Sequence, residues 1–247
     1  MKKFIFTLAA MVYTVALMAS EPLWLRYPAI SPDGKTIAFN YKGDIYLVSS
    51  NGGKASCLVS HKAYDYTPVW SPDGSHIAFA SDRYGNFDIF TIPASGGEVN
   101  RVTTHSNDEV PWSFTPDGSK IYFSANLQTS AQSRVYTKKP YLRELYAVQT
   151  EGGAQTLVLP TSAEEISPLA SGEGFFYQDR PGAEEIWRKH HTSAAACDIW
   201  LYKDGKHTKL TDFNGEDRVP RLAPDGKNVY FLSERDGSFN LYSFSVE

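Results

Sequence analysis

Cysteine is scarce in this chain of 247 residues, which holds only two. Cys57 and Cys197 fall in different repeats of the pattern described below. A ring of repeats holds them far apart, whereas a disulfide needs Cα atoms within about 7 Å. They read as small apolar fillers. Three catalytic motifs are missing as well: H-E-x-x-H, C-x-x-C and G-x-S-x-G do not occur, which excludes the usual zinc-peptidase, thiol-redox and hydrolase-elbow patterns. Charge of one sign is not in large excess. The net charge of −4 gives no footing for nucleic acid. Long apolar runs are confined to the first residues. Lys2 and Lys3 precede the apolar stretch Phe4–Met18, and small residues follow at Ala19 and Ser20. That order reads as a secretory signal over 1–20, and the run is short of the roughly 20 residues of a membrane span. No cysteine stands at its exit, so no lipid anchor is indicated. The expected location is periplasmic or secreted, without membrane attachment after cleavage.

What is abundant is aromatic side chains punctuated by turn formers: 15 Tyr, 14 Phe and 5 Trp, with 14 Pro and 18 Gly. This composition suits many short strands around a sizeable core. One phrase recurs: PAISPDGKTIAF at 28–39, PVWSPDGSHIAF at 68–79, PWSFTPDGSKIYF at 111–123 and PRLAPDGKNVYF at 220–231, with a degraded copy, SPLASGEGFFY, at 167–177. Its closing glycine is read at Gly34, Gly74, Gly118, Gly174 and Gly226. Recurrence at about 40–50 residues marks a propeller or solenoid array. The second copy supplies the clearest unit. Strands at Thr67–Ser71, His76–Ala80, Asp88–Ile92 and Val99–Thr103 are joined by the Pro72-Asp73-Gly74 turn, the loop from Asp82 to Asn86 and the Gly96-Gly97 turn. Four antiparallel strands joined by tight turns make one propeller blade. The predicted fold is therefore all-β, a propeller of about five four-stranded blades over 21–247. The blades run approximately over 27–60, 66–104, 110–159, 166–211 and 219–247. The fifth stops after its third strand. Because a propeller protects its edges by closure, continuation beyond residue 247 is expected.

Three sets of residues are candidates for function, all on the face that carries the strand two–three loops and the blade connections. Asp65, Asp108, Glu165 and Asp217 each stand three residues before the proline of a repeat, and a ring would gather them at the rim of the central channel. An Asp/Glu-Arg-x-Gly motif follows the second strand at Asp82–Gly85, Asp179–Gly182 and Glu234–Gly237. Its arginines, Arg83, Arg180 and Arg235, have the rigid fork that suits carboxylates and are expected to reach the acidic ring. Finally, two long loops interrupt the repeat. One carries Arg134, Lys138, Lys139 and Arg143, and the other Trp187, Arg188, Lys189, His190 and His191. Long loops on a rigid scaffold tend to carry function, and this basic, aromatic set is the candidate site for peptides or a partner domain. His61 and His105 precede their prolines at similar places but lack the carboxylate spacing of a metal site. No metal or other cofactor is expected, and no catalytic residue is identified.

The series Ser-Pro-Asp-Gly, Ile-Ala-Phe, Asp-Arg-x-Gly, Asp-Ile-Tyr, Gly-Gly resembles the repeats of TolB-like propellers and of the N-terminal propeller of tricorn-type serine proteases. The resemblance spans essentially all of 27–247. The tricorn-like branch is favoured because the propeller begins directly after the signal and because the segment YQDRPGAEEIWRKHHTSAAACDIW at 177–200 looks like an insert of secreted members. It implies a six-bladed first propeller, followed by a second propeller, a PDZ domain and a catalytic domain whose serine and histidine have no counterpart here. The implied role is a peptide-guiding or scaffold module in proteolysis. Its partners would be peptides or the protein's own downstream domains, and the full-length form could be a homo-oligomer. Two alternatives remain open: a TolB-like interaction propeller of the cell envelope, and a metal-dependent propeller lyase.

Overall fold

A computed structural model describes residues 24–127, 143–180 and 196–246. Nineteen strands and no helix are found among them. The first blade is β1 (Arg26–Ile30), β2 (Thr36–Tyr41), β3 (Asp44–Ser49) and β4 (Ser56–Val59). The second is β5 (Asp65–Trp70), β6 (His76–Ser81), β7 (Asp88–Pro93) and β8 (Asn100–Arg101). The third is β9 (Glu109–Phe114), β10 (Lys120–Ala125), β11 (Glu144–Gln149) and β12 (Thr156–Ser162). The fourth is β13 (Glu164–Pro168), β14 (Gly174–Gln178), β15 (Ile199–Lys203) and β16 (Lys206–Lys209). The fifth has three strands, β17 (Asp217–Leu222), β18 (Asn228–Ser233) and β19 (Asn240–Ser245). Every blade is an antiparallel meander in sequence order. The first strands line the axis: β1 packs on β5, β5 on β9, β9 on β13 and β13 on β17. Among the described residues no comparably close approach joins β17 to β1. The outer blades keep exposed apolar residues there, Ile30 at 60% on the first and Leu241 at 68% on the fifth.

The repeated phrase folds for a local reason. Asp33 Oδ1 accepts from the Ser31 hydroxyl at 2.6 Å and from the Lys35 amide at 3.0 Å, while Gly34 takes φ +71°, a conformation that glycine adopts without steric cost. Asp73 and Asp117 repeat the arrangement with Ser71 and Thr115. Their carboxyls are held down at about 2, chiefly by those hydroxyls. In the degraded copy the turn glycine is Gly172 (φ +76°), not Gly174. The Gly172 amide donates to the Leu169 carbonyl at 2.9 Å, as Gly74 does to Ser71. Gly174 is needed for a different reason: a Cβ there would run into the Tyr202 carbonyl oxygen.

Strand alternation builds the core between blades. From β6, Ile77 and Phe79 pack towards Ala38, Ile45 and Val59 of the first blade, while Ala78 packs towards Phe114, Ile121 and Phe123 of the third. Phe79 is fully buried, which contributes on the order of 2–3 kcal/mol. Each inner strand carries a bulge. Tyr27, Thr67, Glu165 and Val219 occupy one equivalent position, all with φ between 48° and 56°. The third blade has Pro111 there, whose ring fixes φ near −65°. Its register shift moves along the strand and lies between the Tyr122 and Phe123 pairings.

Candidate axial binding site

The strand register sorts the acidic residues differently from their spacing to proline. Asp65 lies opposite Ser81, Glu109 opposite Ala125 and Asp217 opposite Ser233. These three are equivalent, so the third blade contributes Glu109 to the column rather than Asp108. In the fourth blade Glu164 pairs with Gln178, which places Ala163, not Glu165, in the acid's position. Asp65 and Asp217 are fully buried. Arg83 Nη2 donates to Asp65 at 3.0 Å and Arg83 Nε to the Ser81 hydroxyl at 2.9 Å. Arg235 repeats this on Asp217 and Ser233 at 3.1 and 2.8 Å. Each guanidinium also lies over aromatic rings, Arg83 at 4.5 Å from Phe90 and Arg235 at 4.7 Å from Tyr242. Even with Arg83 beside it, burial raises the Asp65 carboxyl above its usual range. These pairs are internal struts of single blades. Arg180 faces no acid at position 163 and stays half-exposed, 3.8 Å from its neighbour Asp179.

Asp108 and Glu165 are half-buried. Asp108 Oδ1 accepts the Phe87 amide at 3.2 Å and acts electrostatically on Tyr66. Glu165 pairs with Arg221 of the fifth blade at 2.5 Å and acts on Tyr27 of the first. Tyr66 is the hub of a ring cluster, with centroids 5.4 Å from Tyr27, 5.8 Å from Tyr64 and 4.8 Å from Phe87. Arg143, from the third blade, lies near enough to Tyr66 of the second and Glu164 of the fourth to favour the charged form of both. Burial outweighs it in each case. The Tyr66 hydroxyl is raised beyond the ordinary tyrosine range, and the Glu164 carboxyl is pushed up to about 7. Glu164 Oε1 is buried without a hydrogen bond. Residues from four blades thus come within interaction range of one another: a cluster of aromatic rings, a guanidinium, and a carboxyl raised towards neutrality.

Arg143 is the member of the basic set that the structure describes. Arg134, Lys138, Lys139, Trp187, Arg188, Lys189, His190 and His191 lie outside the described residues. His61 and His105 each accept, through Nδ1, the backbone amide two residues on, at 3.0 and 3.1 Å, which makes them turn caps. Among the described residues no group of three His, Cys, Asp or Glu side chains could hold a metal ion. Both cysteines are free; Cys57 is exposed and Cys197 is buried, where its thiol donates to Glu216 Oε2 at 2.9 Å. The tyrosine cluster and Glu164 were not singled out in the sequence. The available signal was the aromatic residue standing one or two places before the repeat proline in the first two blades, Tyr27 before Pro28 and Tyr66 before Pro68.

The family model described as the tricorn protease N-terminal β-propeller domain matches residues 22–247. A tricorn protease homolog of Streptomyces coelicolor is 28% identical over 228 residues, which is 91% of this chain and 20% of that protein. The chain therefore spans about a fifth of the length of this relative. Among solved structures, tricorn protease superposes with a TM-score of 0.72 at 23% identity, covering 91% of this chain and 22% of that one. TolB from Acinetobacter baumannii superposes with a TM-score of 0.64 at 21% identity, covering 93% and 56%.

Proposed function

The chain belongs to the tricorn protease N-terminal β-propeller family, and we propose that it serves as a peptide-guiding and scaffold module of a longer serine peptidase. The observation that carries this reading is the convergence of Arg143, Tyr66, Tyr27 and Glu164 from four blades on the axis. Such a mouth offers an extended peptide both ring faces and an anion site, and among the described residues it holds no nucleophile with a base beside it. Hydrolysis then belongs to another part of the protein, and the propeller binds. The basic set of the two long loops, Arg134, Lys138, Lys139 and Arg143 with Trp187, Arg188, Lys189, His190 and His191, serves the same work by gripping peptide carboxylates or a downstream domain. The leader-like segment 1–20 supports a periplasmic or secreted location. Whole-protein closure by a sixth blade, and a homo-oligomeric full-length form, are parts of the same proposal.

The experiment is a calorimetric peptide titration of the full-length protein carrying Lys138→Glu, Lys139→Glu, Arg188→Glu and Lys189→Glu together. Peptide affinity falls at least tenfold if these residues grip carboxylates. Unchanged affinity in a folded variant refutes that role. The second reading, a TolB-like protein-interaction propeller, is favoured by the superposition on TolB. It is distinguished by capture of folded envelope proteins rather than unstructured peptides.

A further inference from the structure

The interface between the second and third blades departs from the rule that the other interfaces follow. At one equivalent position of the second strands, a polar side chain crosses to the inner strand of the next blade. Asn40 donates to the Asp65 carbonyl, the Ser124 hydroxyl donates to the Ala163 carbonyl at 2.8 Å, and Gln178 Oε1 accepts the Val219 amide at 2.9 Å. The second blade has Ala80 at this position, so its interface with the third lacks the crossing. The strut is missing from the third blade too. Glu109 keeps the acid's place, but Leu127 stands where Arg83 and Arg235 stand in their blades and packs into the core. In addition, an open cleft of about 1010 Å³ runs along the turn side of these two blades, bordered by Pro72, Asp73, Arg101, Pro116, Asp117 and Glu151.

Glu109 lies at this seam and is fully buried. Its Oε1 accepts from Gln155 Nε2, just before β12, at 2.6 Å, and its Oε2 makes no hydrogen bond of good geometry. The charged and polar groups around it oppose one another. Asp88 on β7 disfavours its ionisation. Thr103, Gln155 and Arg101 favour it, but Arg101 is already bound to Asp88 at 2.7 Å. Burial outweighs them all and pushes the carboxyl up to about 8. Across the seam the Glu109 amide donates to the Phe87 carbonyl at 2.8 Å, so the residue that carries the acid also carries a backbone link between the blades.

We propose that the seam between the second and third blades is a pH-governed joint, held shut by a neutral Glu109 and loosened when that carboxyl ionises. The closed seam keeps a proton that the open, hydrated seam releases. The joint is therefore tightest below the ordinary glutamate value of 4.5. Opening grows by up to about tenfold per pH unit as pH rises towards the closed-state value, and levels off above it. Tyr66 belongs to the second blade and Arg143 to the third, so the joint sets the width of the axial mouth, whatever that mouth binds.

Hydrogen exchange of the chain, followed from pH 5 to pH 9 and corrected for intrinsic rates, tests this in the wild type and in Glu109→Gln. Opening at β9 and β12 rises at least tenfold more than opening across the first blade in the wild type, and this excess is lost in Glu109→Gln. An equal rise in both proteins, or a rise no larger at the seam than in the first blade, overturns the proposal. A carbon-13 titration of the wild-type Glu109 carboxyl reads the same joint without a variant. A midpoint at least two pH units above 4.5 supports it, and a midpoint near 4.5 overturns it.

Discussion

Replacing Arg83 with leucine strips the strut from the second blade and leaves Asp65 behind. Asp65 is fully buried and the Arg83 side chain is 12% exposed, so little water is present to take over the role of the guanidinium. Breaking a buried pair from one side costs about 3–5 kcal/mol, because an uncompensated charge remains. The ring contact over Phe90 at 4.5 Å adds about 0.5–1 kcal/mol. Urea unfolding at pH 7 should therefore show a loss of about 3–5 kcal/mol. The loss should shrink as the solution is acidified, because the Asp65 carboxyl, already raised by burial, takes up a proton. Asp65→Asn combined with Arg83→Leu should recover most of the loss, since no charge is then buried. Arg235→Leu in the fifth blade should cost less than Arg83→Leu, because Arg235 is 35% exposed and water screens the remaining carboxylate. An Arg83→Leu loss below about 1 kcal/mol, the worth of a surface pair, would refute the reasoning, as would an equal loss in the double variant.

Other outcomes follow from the same geometry. Gly34→Ala and Gly226→Ala should each cost about 1–2 kcal/mol by urea unfolding, and by similar amounts, because both glycines have φ near 70° and open space where a Cβ would go. Glu164 should titrate by carbon-13 NMR with a midpoint near 7, and Arg143→Ala should move that midpoint upwards. The Glu164 carboxyl is raised in the folded state. Its neutral form therefore favours folding below the ordinary value of 4.5, and that contribution is lost as pH rises through about 7. Asp73 and Asp117 should titrate near 2, below an ordinary aspartate, and Ser71→Ala should bring the Asp73 midpoint back up.

The architecture was legible because the blades repeat one local solution: an Asp-Gly turn (Ser171-Gly172 in the fourth), an apolar second strand and a tyrosine- or phenylalanine-bearing third. The all-β propeller follows from that repetition. What spacing to proline could not reveal was register. In the inner strands a bulge at Thr67 or Val219 adds a residue that the sequence does not mark, and Pro111 displaces the bulge in the third blade. Counting from proline therefore selected Asp108 where the strand aligns Glu109; in the fourth blade Pro168 stands in the place of Trp70 and Ile166 in that of Pro68, so the count selected Glu165 where the strand aligns Ala163. The glycine of the degraded repeat was misread for a related reason. Gly172 and Gly174 both stand there, and only the amide-to-carbonyl bond of Gly172 tells which one turns the chain. The Asp-Arg motif did announce its chemistry in the second and fifth blades, where an acid waits in register. It misled in the fourth, where Arg180 has none. The axial cluster was hidden because its members come from four blades and share no motif.

The most direct measurement is a fluorescence-anisotropy titration of the chain with one extended peptide, prepared with a free C-terminal carboxylate and with an amidated end. It is run on the wild type and on Arg143→Glu combined with Tyr27→Ser. A peptide-guiding mouth on the axis predicts saturable binding by the wild type. It also predicts weaker binding of the amidated form, and at least a fivefold loss in the folded variant. Identical titrations of wild type and variant, or no binding by a wild-type chain that circular dichroism finds folded, would contradict it.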